Sequence, residues 1–192
     1  MLRKIALTGG PCAGKSSAME YLKKEFEKFG YKVIIMPEAA TQIINEGMKP
    51  GTKNFQLEVF KRQLELEEAA NSEAMEYNRV IVFYDRSLYD QLAYVDEEIF
   101  KEFCDELKIS KIDSRYNGII HLVSAAIGTT AYTTSNNAAR QETREEAIEL
   151  EEKTLKATKH YRGMIEIVDN STDFNGKLKR VFEAAIRIFN QW

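Results

Sequence analysis

Gly9-Gly10-Pro11-Cys12-Ala13-Gly14-Lys15-Ser16 is the stretch that decides the fold, since it fits G-x-x-x-x-G-K-[ST], the pattern of a phosphate-binding loop (P-loop). Such a loop joins a strand to a helix, so its flanks must agree with it. Residues 3–8 form a short, mostly apolar run, and residues 15–29 carry apolar side chains at helical spacing. Those side chains are Met19, Leu22, Phe26 and Phe29. The sequence therefore predicts a protein that binds a nucleoside triphosphate with magnesium.

The residue types of the loop suit this chemistry. Gly9 and Gly14 allow the backbone to turn so that successive N–H groups surround phosphate oxygens at the start of a helix. Lys15 supplies a positive charge for the terminal phosphates, and the hydroxyl of Ser16 is a magnesium ligand. The alternative is a glycine-rich turn with a solvated lysine. The residues expected to contact the triphosphate here are Gly9, Gly10, Ala13, Gly14, Lys15, Ser16 and Ser17.

Length and composition exclude several classes of protein. A chain of 192 residues suits one domain, which we expect to span residues 1–192. The net charge of −3 lacks the excess of Lys and Arg that nucleic-acid binding requires. Cys12 and Cys104 are far apart and lack metal-ligand spacing, and no run of 18 apolar residues occurs. We therefore expect a soluble, cytoplasmic protein without nucleic-acid or membrane partners.

Five short apolar runs alternate with helical stretches along the chain. The runs cover residues 5–8, 32–36, 80–84, 118–124 and 164–168. The helical stretches cover residues 15–29, 38–46, 55–77, about 138–160 and 176–191. This alternation predicts an α/β fold of three layers, with a five-stranded, mainly parallel sheet between helices.

A carboxylate follows the third apolar run. Asp85 falls at the carboxyl end of that strand, where ligands of open α/β sheets bind, and it could hold magnesium directly or through water. The guanidinium of Arg86 could grip a phosphate or a substrate oxygen at two points. The alternative is an aspartate that caps the next turn, with Arg86 paired to a surface acid.

A second carboxylate ends the second apolar run. Glu38 would lie at the same edge of the sheet and could accept a proton from a substrate hydroxyl. It could equally be the first-turn acid of the following helix, where the helix dipole favours a negative charge. The sequence leaves these alternatives open.

A long polar stretch follows the fourth apolar run and is typical of a lid, which we place at about residues 126–146. Arg140 and Arg144 lie toward the end of this region, spaced i, i+4 on one expected helix face. Both could turn toward the phosphates and neutralise charge in the transition state. The alternative is ion pairing with neighbouring glutamates on a solvated helix.

With these pieces in place, the chain resembles one P-loop family along nearly its whole length. It is similar to the ATP-binding AAA domain family that includes the kinase domain of NadR, a nicotinamide riboside kinase, and an animal factor for TRPL channel translocation. The matching segments are GGPCAGKS (9–16), PEAA (37–40), DRSLYD (85–90) with AY (93–94), YTT (132–134) with NAAR (137–140), and DNSTDF (169–174). The resemblance implies a P-loop NTPase fold with the kinase-type strand order 2-3-1-4-5.

A weaker resemblance reaches toward deoxynucleoside kinases. It implies Glu38 as the base, Asp85 as the magnesium ligand and Arg86 as a substrate or phosphate contact. The order Pro-Glu here replaces Glu-Pro in those kinases, and Asp replaces Glu before Arg-Ser, so the base is either Glu38 or Asp85. Likeness to P-loop kinases also implies that the loop containing Asn170 and Asp173 holds the nucleotide base.

The sequence thus favours a small-molecule kinase that moves the γ-phosphoryl of ATP to a nucleoside-type or nucleotide-type acceptor. The expected catalytic residues are Lys15, Glu38, Asp85, Arg86, Arg140 and Arg144. GTP stays open as the donor, although an Asn-Lys-x-Asp signature is absent. The alternative is a nucleotide-dependent switch or slow ATPase that acts through a protein partner. A homodimer is compatible with either hypothesis, and the sequence does not name the acceptor.

Overall fold

A computed structural model describes residues 1–128 and 143–191. The strands are β1 (Leu2–Thr8), β2 (Lys32–Met36), β3 (Val80–Asp85), β4 (Gly118–Leu122) and β5 (Met164–Val168). They form one sheet in the order β2-β3-β1-β4-β5, and every neighbouring pair is parallel. This confirms the predicted strand order, and β2 and β5 have the predicted bounds.

Helices cover both faces of the sheet. They are α1 (Lys15–Lys28), α2 (Ala39–Asn45), α3 (Lys53–Ala74), α4 (Glu97–Glu106), α5 (Arg144–Thr158) and α6 (Phe174–Asn190). Two short 3₁₀ helices, Leu88–Ala93 and Ile112–Arg115, complete the secondary structure of the described ranges. Sequence periodicity did not predict α4 or the 3₁₀ helices.

Residues of the central strands alternate between two apolar layers. On β1, Ile5 and Leu7 pack toward α1 and α6, whereas Ala6 packs on the opposite side with Tyr84 of β3 and Ala70 of α3. Because both faces are covered, β3 is buried at every residue and reads as a continuous apolar run rather than an alternating one. The fold is therefore the three-layer α/β sandwich of a P-loop NTPase.

The sheet brings two functional segments to one edge. In the parallel register of β1 and β3, Leu7 is the partner of Asp85, so Asp85 lies level with the start of the loop that follows Thr8. The loop then runs directly into α1, whose N-cap is Gly14. The candidate site therefore lies at the carboxyl ends of the strands, as expected for an open parallel sheet.

One helix expectation needs correction. The helix expected from about residue 138 begins at Arg144, with Thr143 as its N-cap. The cap has extended backbone dihedrals, so the helix that contains Arg144 does not continue through Thr143 toward the N-terminus. Arg140 and most of the expected lid lie outside the described residues.

In the part of the chain that the structure describes, no helix combines the length and the apolar character needed to cross a membrane.

Candidate nucleotide site

Two glycines of the P-loop occupy positions that only glycine tolerates. Gly14 has φ +89°, and a Cβ there would lie 2.9 Å from Cε2 of Phe174. Gly9 has φ +136°, and its Cβ would lie 2.1 Å from the carbonyl oxygen of Leu122. A side chain at either position would push the loop off β4 or α6. Their functions are thus to allow the turn and to allow close backbone approach.

Lys15 is the first residue of α1 and folds back over the loop. Its Nζ donates to the carbonyl oxygen of Gly9 at 3.0 Å. Burial and the nearby charge of Arg86 lower the pKa of Lys15, against the opposing effect of Asp85 and Glu38. The lysine therefore lies among the charged groups of the site, where it can meet a polyphosphate.

Asp85 ends β3 as a buried carboxylate with only 8% of its surface exposed. Its Oδ1 has no hydrogen-bond partner within the described residues. Burial raises the pKa of Asp85 to about 6, helped by the charges of Glu38 and Asp90 and opposed by those of Lys15 and Arg86. A buried carboxylate oxygen without a partner is a group that a cation would satisfy.

A magnesium ion fits this part of the cleft. Ser16, whose side chain is exposed, and Asp85 both line it. The described residues contain no cluster of three or more His, Cys, Asp or Glu side chains that could hold a metal by themselves. Mg²⁺ typically binds one or two protein carboxylates together with substrate phosphates and water. The carboxylate of Asp85 and the hydroxyl of Ser16 are consistent with that coordination.

Arg86 has a strained backbone and a largely buried side chain. Its φ is +76°, which is uncommon for a residue with a side chain, and its N–H donates to the carbonyl oxygen of Leu7 at 2.9 Å. Nε donates to Oε1 of Glu38 at 2.5 Å, while Nη1 is buried without a partner among the described residues. Strain of this kind persists where the surroundings enforce it, and it occurs often at functional sites.

Glu38 occupies the N-cap position of α2, directly after β2 and Pro37. Its Oε2 accepts a hydrogen bond from Oγ1 of Thr41 at 2.7 Å, and its Oε1 faces Arg86. Burial opposes ionisation, but the charges of Arg86 and Lys15 outweigh it and lower the pKa of Glu38 to about 2. The geometry therefore brings Glu38, Arg86 and Asp85 together at one edge of the sheet.

A third acid, Asp90, holds the turn after β3. It is 2% exposed, accepts a hydrogen bond from the hydroxyl of Thr8, and accepts another from the N–H of Ser87 at 2.7 Å. Gln63 of α3 supports the same turn by donating to the carbonyl oxygen of Arg86 at 3.1 Å. These contacts fix the direction in which Asp85 and Arg86 leave the strand.

The P-loop and this acidic edge face each other across one cleft of about 1390 Å³. One wall is the P-loop and the start of α1. The opposite wall comes from α2, α3 and the 3₁₀ helix Leu88–Ala93, and includes Phe55, Val59, Gln63 and Gln91. A cleft of this size exceeds the usual 300–1,000 Å³ of a small-molecule pocket, so there is room for a second ligand beside a nucleotide.

Three further predicted residues do not line the cleft and have protein partners instead, namely Asn170, Asp173 and Arg144. The amide Nδ2 of Asn170 donates to the carbonyl oxygens of Ser124 and Ile127, at 2.8 and 2.9 Å. Asp173 is the N-cap of α6 and accepts from the N–H of Gly176 at 2.7 Å. Arg144 donates to the carbonyl oxygen of Ala126 at 3.0 Å. Their predicted contacts with a nucleotide stay predictions.

Sequence reasoning missed two buried charged residues behind the P-loop, Glu151 and Lys177. Their positions relative to the apolar residues of each helix could have identified them. Glu151 lies on the same face of α5 as the buried Ala147 and Thr154, and Lys177 precedes the buried Val181 by one turn of α6. A charged residue in the buried stripe of a helix has a specific partner, and that partner is the P-loop in both cases.

The fold, the loop and the cleft together define a P-loop nucleotide-binding protein. The model of a family described as an AAA domain matches residues 4–175, so the chain belongs to that family. None of the curated proteins compared with the chain matches it.

Proposed function

We propose that the protein is a phosphotransferase that moves the γ-phosphoryl group of a nucleoside triphosphate, with ATP as the expected donor, to a small-molecule acceptor. One observation carries the proposal. Four buried side-chain atoms lack a hydrogen-bond partner within the described residues, and three of them belong to Asp85, Arg86 and Gln91, which line the cleft. Native proteins satisfy nearly all such groups, so this concentration indicates a place built for a ligand.

The size of the cleft favours transfer over hydrolysis. A hydrolase must admit only a water molecule beside the γ-phosphate, whereas the wall opposite the P-loop leaves space for a second organic molecule. That wall carries apolar side chains, Phe55 and Val59, and amide side chains, Gln63 and Gln91. Such a mixture suits an acceptor with an apolar body and a few polar groups.

The residues of the site fit distinct functions in this reaction. The P-loop backbone and Lys15 bind the triphosphate, and Ser16 and Asp85 would hold Mg²⁺. The ion, when bound, neutralises charge on the phosphates during transfer. Glu38, ionised because of Arg86, accepts a hydrogen bond from the acceptor hydroxyl and orients it toward the donor. As the hydroxyl oxygen bonds to the γ-phosphorus, the bond to ADP breaks and the hydroxyl proton passes to an oxygen of the transferred phosphoryl group. The resemblance to the family of NadR agrees with a kinase.

A mass measurement tests the proposal. The protein is incubated with ATP and Mg²⁺ and a panel of nucleosides, nucleotides and sugars, and each mixture is analysed for a product heavier by one phosphoryl group. We expect at least one acceptor to gain that mass while ATP becomes ADP. ADP and free phosphate without a phosphorylated acceptor would instead favour the nucleotide-dependent switch or slow ATPase.

A further inference from the structure

Two buried charged side chains hold the backbone of the P-loop from behind. Glu151 on α5 is 1% exposed and Lys177 on α6 is 4% exposed. Burying a charge is costly unless hydrogen bonds or an opposite charge compensate it, so the contacts of these residues indicate what they do. In both cases a contact goes to a main-chain group of the loop.

Glu151 binds the first half of the loop. Its Oε2 accepts the N–H of Gly10 at 2.6 Å, and its Oε1 lies 2.8 Å from Nε2 of the buried His121. Burial opposes ionisation, but the hydrogen bonds from His121 and Gly10 lower the pKa of Glu151 overall. A Cβ on Gly10 would lie 2.7 Å from Oε2, so glycine is what allows this approach. The N–H of Gly10 is thus directed at Glu151.

Lys177 binds the second half of the loop. Its Nζ donates to the carbonyl oxygens of Ala13 at 3.0 Å and Val123 at 2.6 Å, and to Oδ1 of Asn170 at 2.8 Å. An ammonium group has three N–H donors, and here each has an acceptor. Burial lowers the pKa of Lys177 to about 8, so the side chain is still cationic at pH 7.

These contacts set the direction of two peptide groups. In a planar trans peptide the C=O and the following N–H point to opposite sides. Lys177 holds the carbonyl of Ala13 on the side of α6, which turns the N–H of Gly14 to the other side, at the start of α1. A glycine peptide rotates easily, and the reversed peptide would present a carbonyl oxygen to the phosphates.

We propose that Glu151 and Lys177 are positioning residues for the triphosphate, which act by fixing the peptide orientation of the P-loop. The proposal rests on the proposed function only in taking a nucleoside triphosphate as the ligand. Neither residue needs to touch the nucleotide. The loop is therefore ordered for phosphate binding before the nucleotide arrives, and the cost of ordering it is met during folding.

Substitutions separate positioning from a general loss of stability. Lys177→Met and Glu151→Leu remove the contacts, and we expect each to weaken ATP binding about tenfold or more in calorimetry with Mg²⁺. Glu151→Gln keeps an acceptor for the N–H of Gly10 and should bind within about threefold of the wild type. Val181→Ala is the matched control, since Val181 is fully buried one turn further along α6 and its side chain has no polar group that could bind the loop backbone. It should lower the unfolding temperature without a comparable loss of affinity.

Amide NMR of the ligand-free protein provides a test that needs no catalysis. A hydrogen bond to a carboxylate should shift the amide proton of Gly10 downfield and protect it from exchange; Glu151→Leu should abolish both effects. ATP with Mg²⁺ should move the amide of Gly14 and leave that of Gly10 nearly unchanged. If Glu151→Leu and Lys177→Met bind ATP normally, or if Val181→Ala weakens binding as much, the proposal is wrong. A wild type that binds ATP but phosphorylates no acceptor would refute the kinase and leave this proposal standing.

Discussion

Nε of Arg86 lies 2.5 Å from Oε1 of Glu38, and this contact joins the ends of β3 and β2 at the edge of the sheet where the P-loop begins. The pair has a chemical consequence for both residues. It keeps Glu38 ionised, and it holds the guanidinium of Arg86 in the cleft although Nη1 has no partner within the described ranges. A carboxylate fixed in this way can orient an acceptor hydroxyl without changing its own charge at neutral pH.

The first prediction concerns Glu38→Gln. The amide keeps one acceptor oxygen for Arg86 but loses the negative charge, so the acceptor hydroxyl loses its orienting group. We expect phosphoryl transfer to fall by about 10²-fold or more, with ATP affinity changed by less than about threefold. Initial rates and nucleotide titrations would measure the two effects separately.

Glu46→Gln is the matched control for this substitution. Glu46 follows α2 and pairs with Arg62 on the surface, and it does not line the cleft. It should transfer phosphate at the wild-type rate. Equal losses in the two variants would show that the negative charge near α2, rather than the position of Glu38, governs the rate.

A second prediction concerns the stability of Asp85→Asn. The folded pKa of about 6 lies above the unfolded value of about 3.9, so the folded protein binds the proton more tightly. The stability that this contributes is fully present below about pH 4 and is lost as the pH rises through about 6. Asparagine does not ionise, so the variant does not lose this stability as the pH rises. We expect Asp85→Asn to exceed the wild type by about 3 kcal/mol at pH 7 and to match it near pH 4, measured by urea unfolding.

The same substitution should remove function. Without the carboxylate, magnesium-dependent transfer should fall by about 10²-fold. The wild-type kcat/KM, which reports the free enzyme, should fall as the pH drops below about 6 because Asp85 becomes protonated. Asp105→Asn, at an exposed acid of α4, should change neither stability nor rate. If Asp85→Asn is less stable than the wild type at pH 7, Asp85 is not a carboxylate whose burial destabilises the ligand-free protein, and its assignment as the magnesium ligand loses its basis.

A third prediction tests the P-loop itself. Lys15→Ala removes the charge that meets the terminal phosphates, so ATP with Mg²⁺ should no longer raise the unfolding temperature. Lys24→Ala, on the exposed face of the same helix, should keep the full rise. Differential scanning fluorimetry at several ATP concentrations would measure both, and an undiminished rise in Lys15→Ala would refute the assignment of the loop.

The sequence predicts the sheet well because its signals are local. Strands buried on both faces read as apolar runs, and the P-loop pattern marks the junction of β1 and α1. The same reasoning places Asp85 and Glu38 at one edge, since both lie at the carboxyl ends of parallel strands. It fails for Glu151 and Lys177, because their partners are main-chain groups about 141 and 164 residues away in the chain. Sequence reasoning also places the start of α5 too early, at about residue 138, because the residues just before Thr143 have a composition that is compatible with a helix.

Phe174 is the basis of the last prediction. It is the first residue of α6, is 52% exposed, lines the cleft and lies beside Gly14. An exposed aromatic ring next to a phosphate site is a surface on which a nucleobase can stack, and such stacking contributes about 1–3 kcal/mol. We expect Phe174→Ala to weaken ATP binding about tenfold and to leave tripolyphosphate binding unchanged, because tripolyphosphate has no base.

Phe29→Ala is the control for this substitution. It removes a ring of similar exposure that stacks on Phe182 instead, and it should bind both ligands normally. If Phe174→Ala weakens tripolyphosphate binding equally, the ring supports the P-loop at Gly14 and does not contact the base.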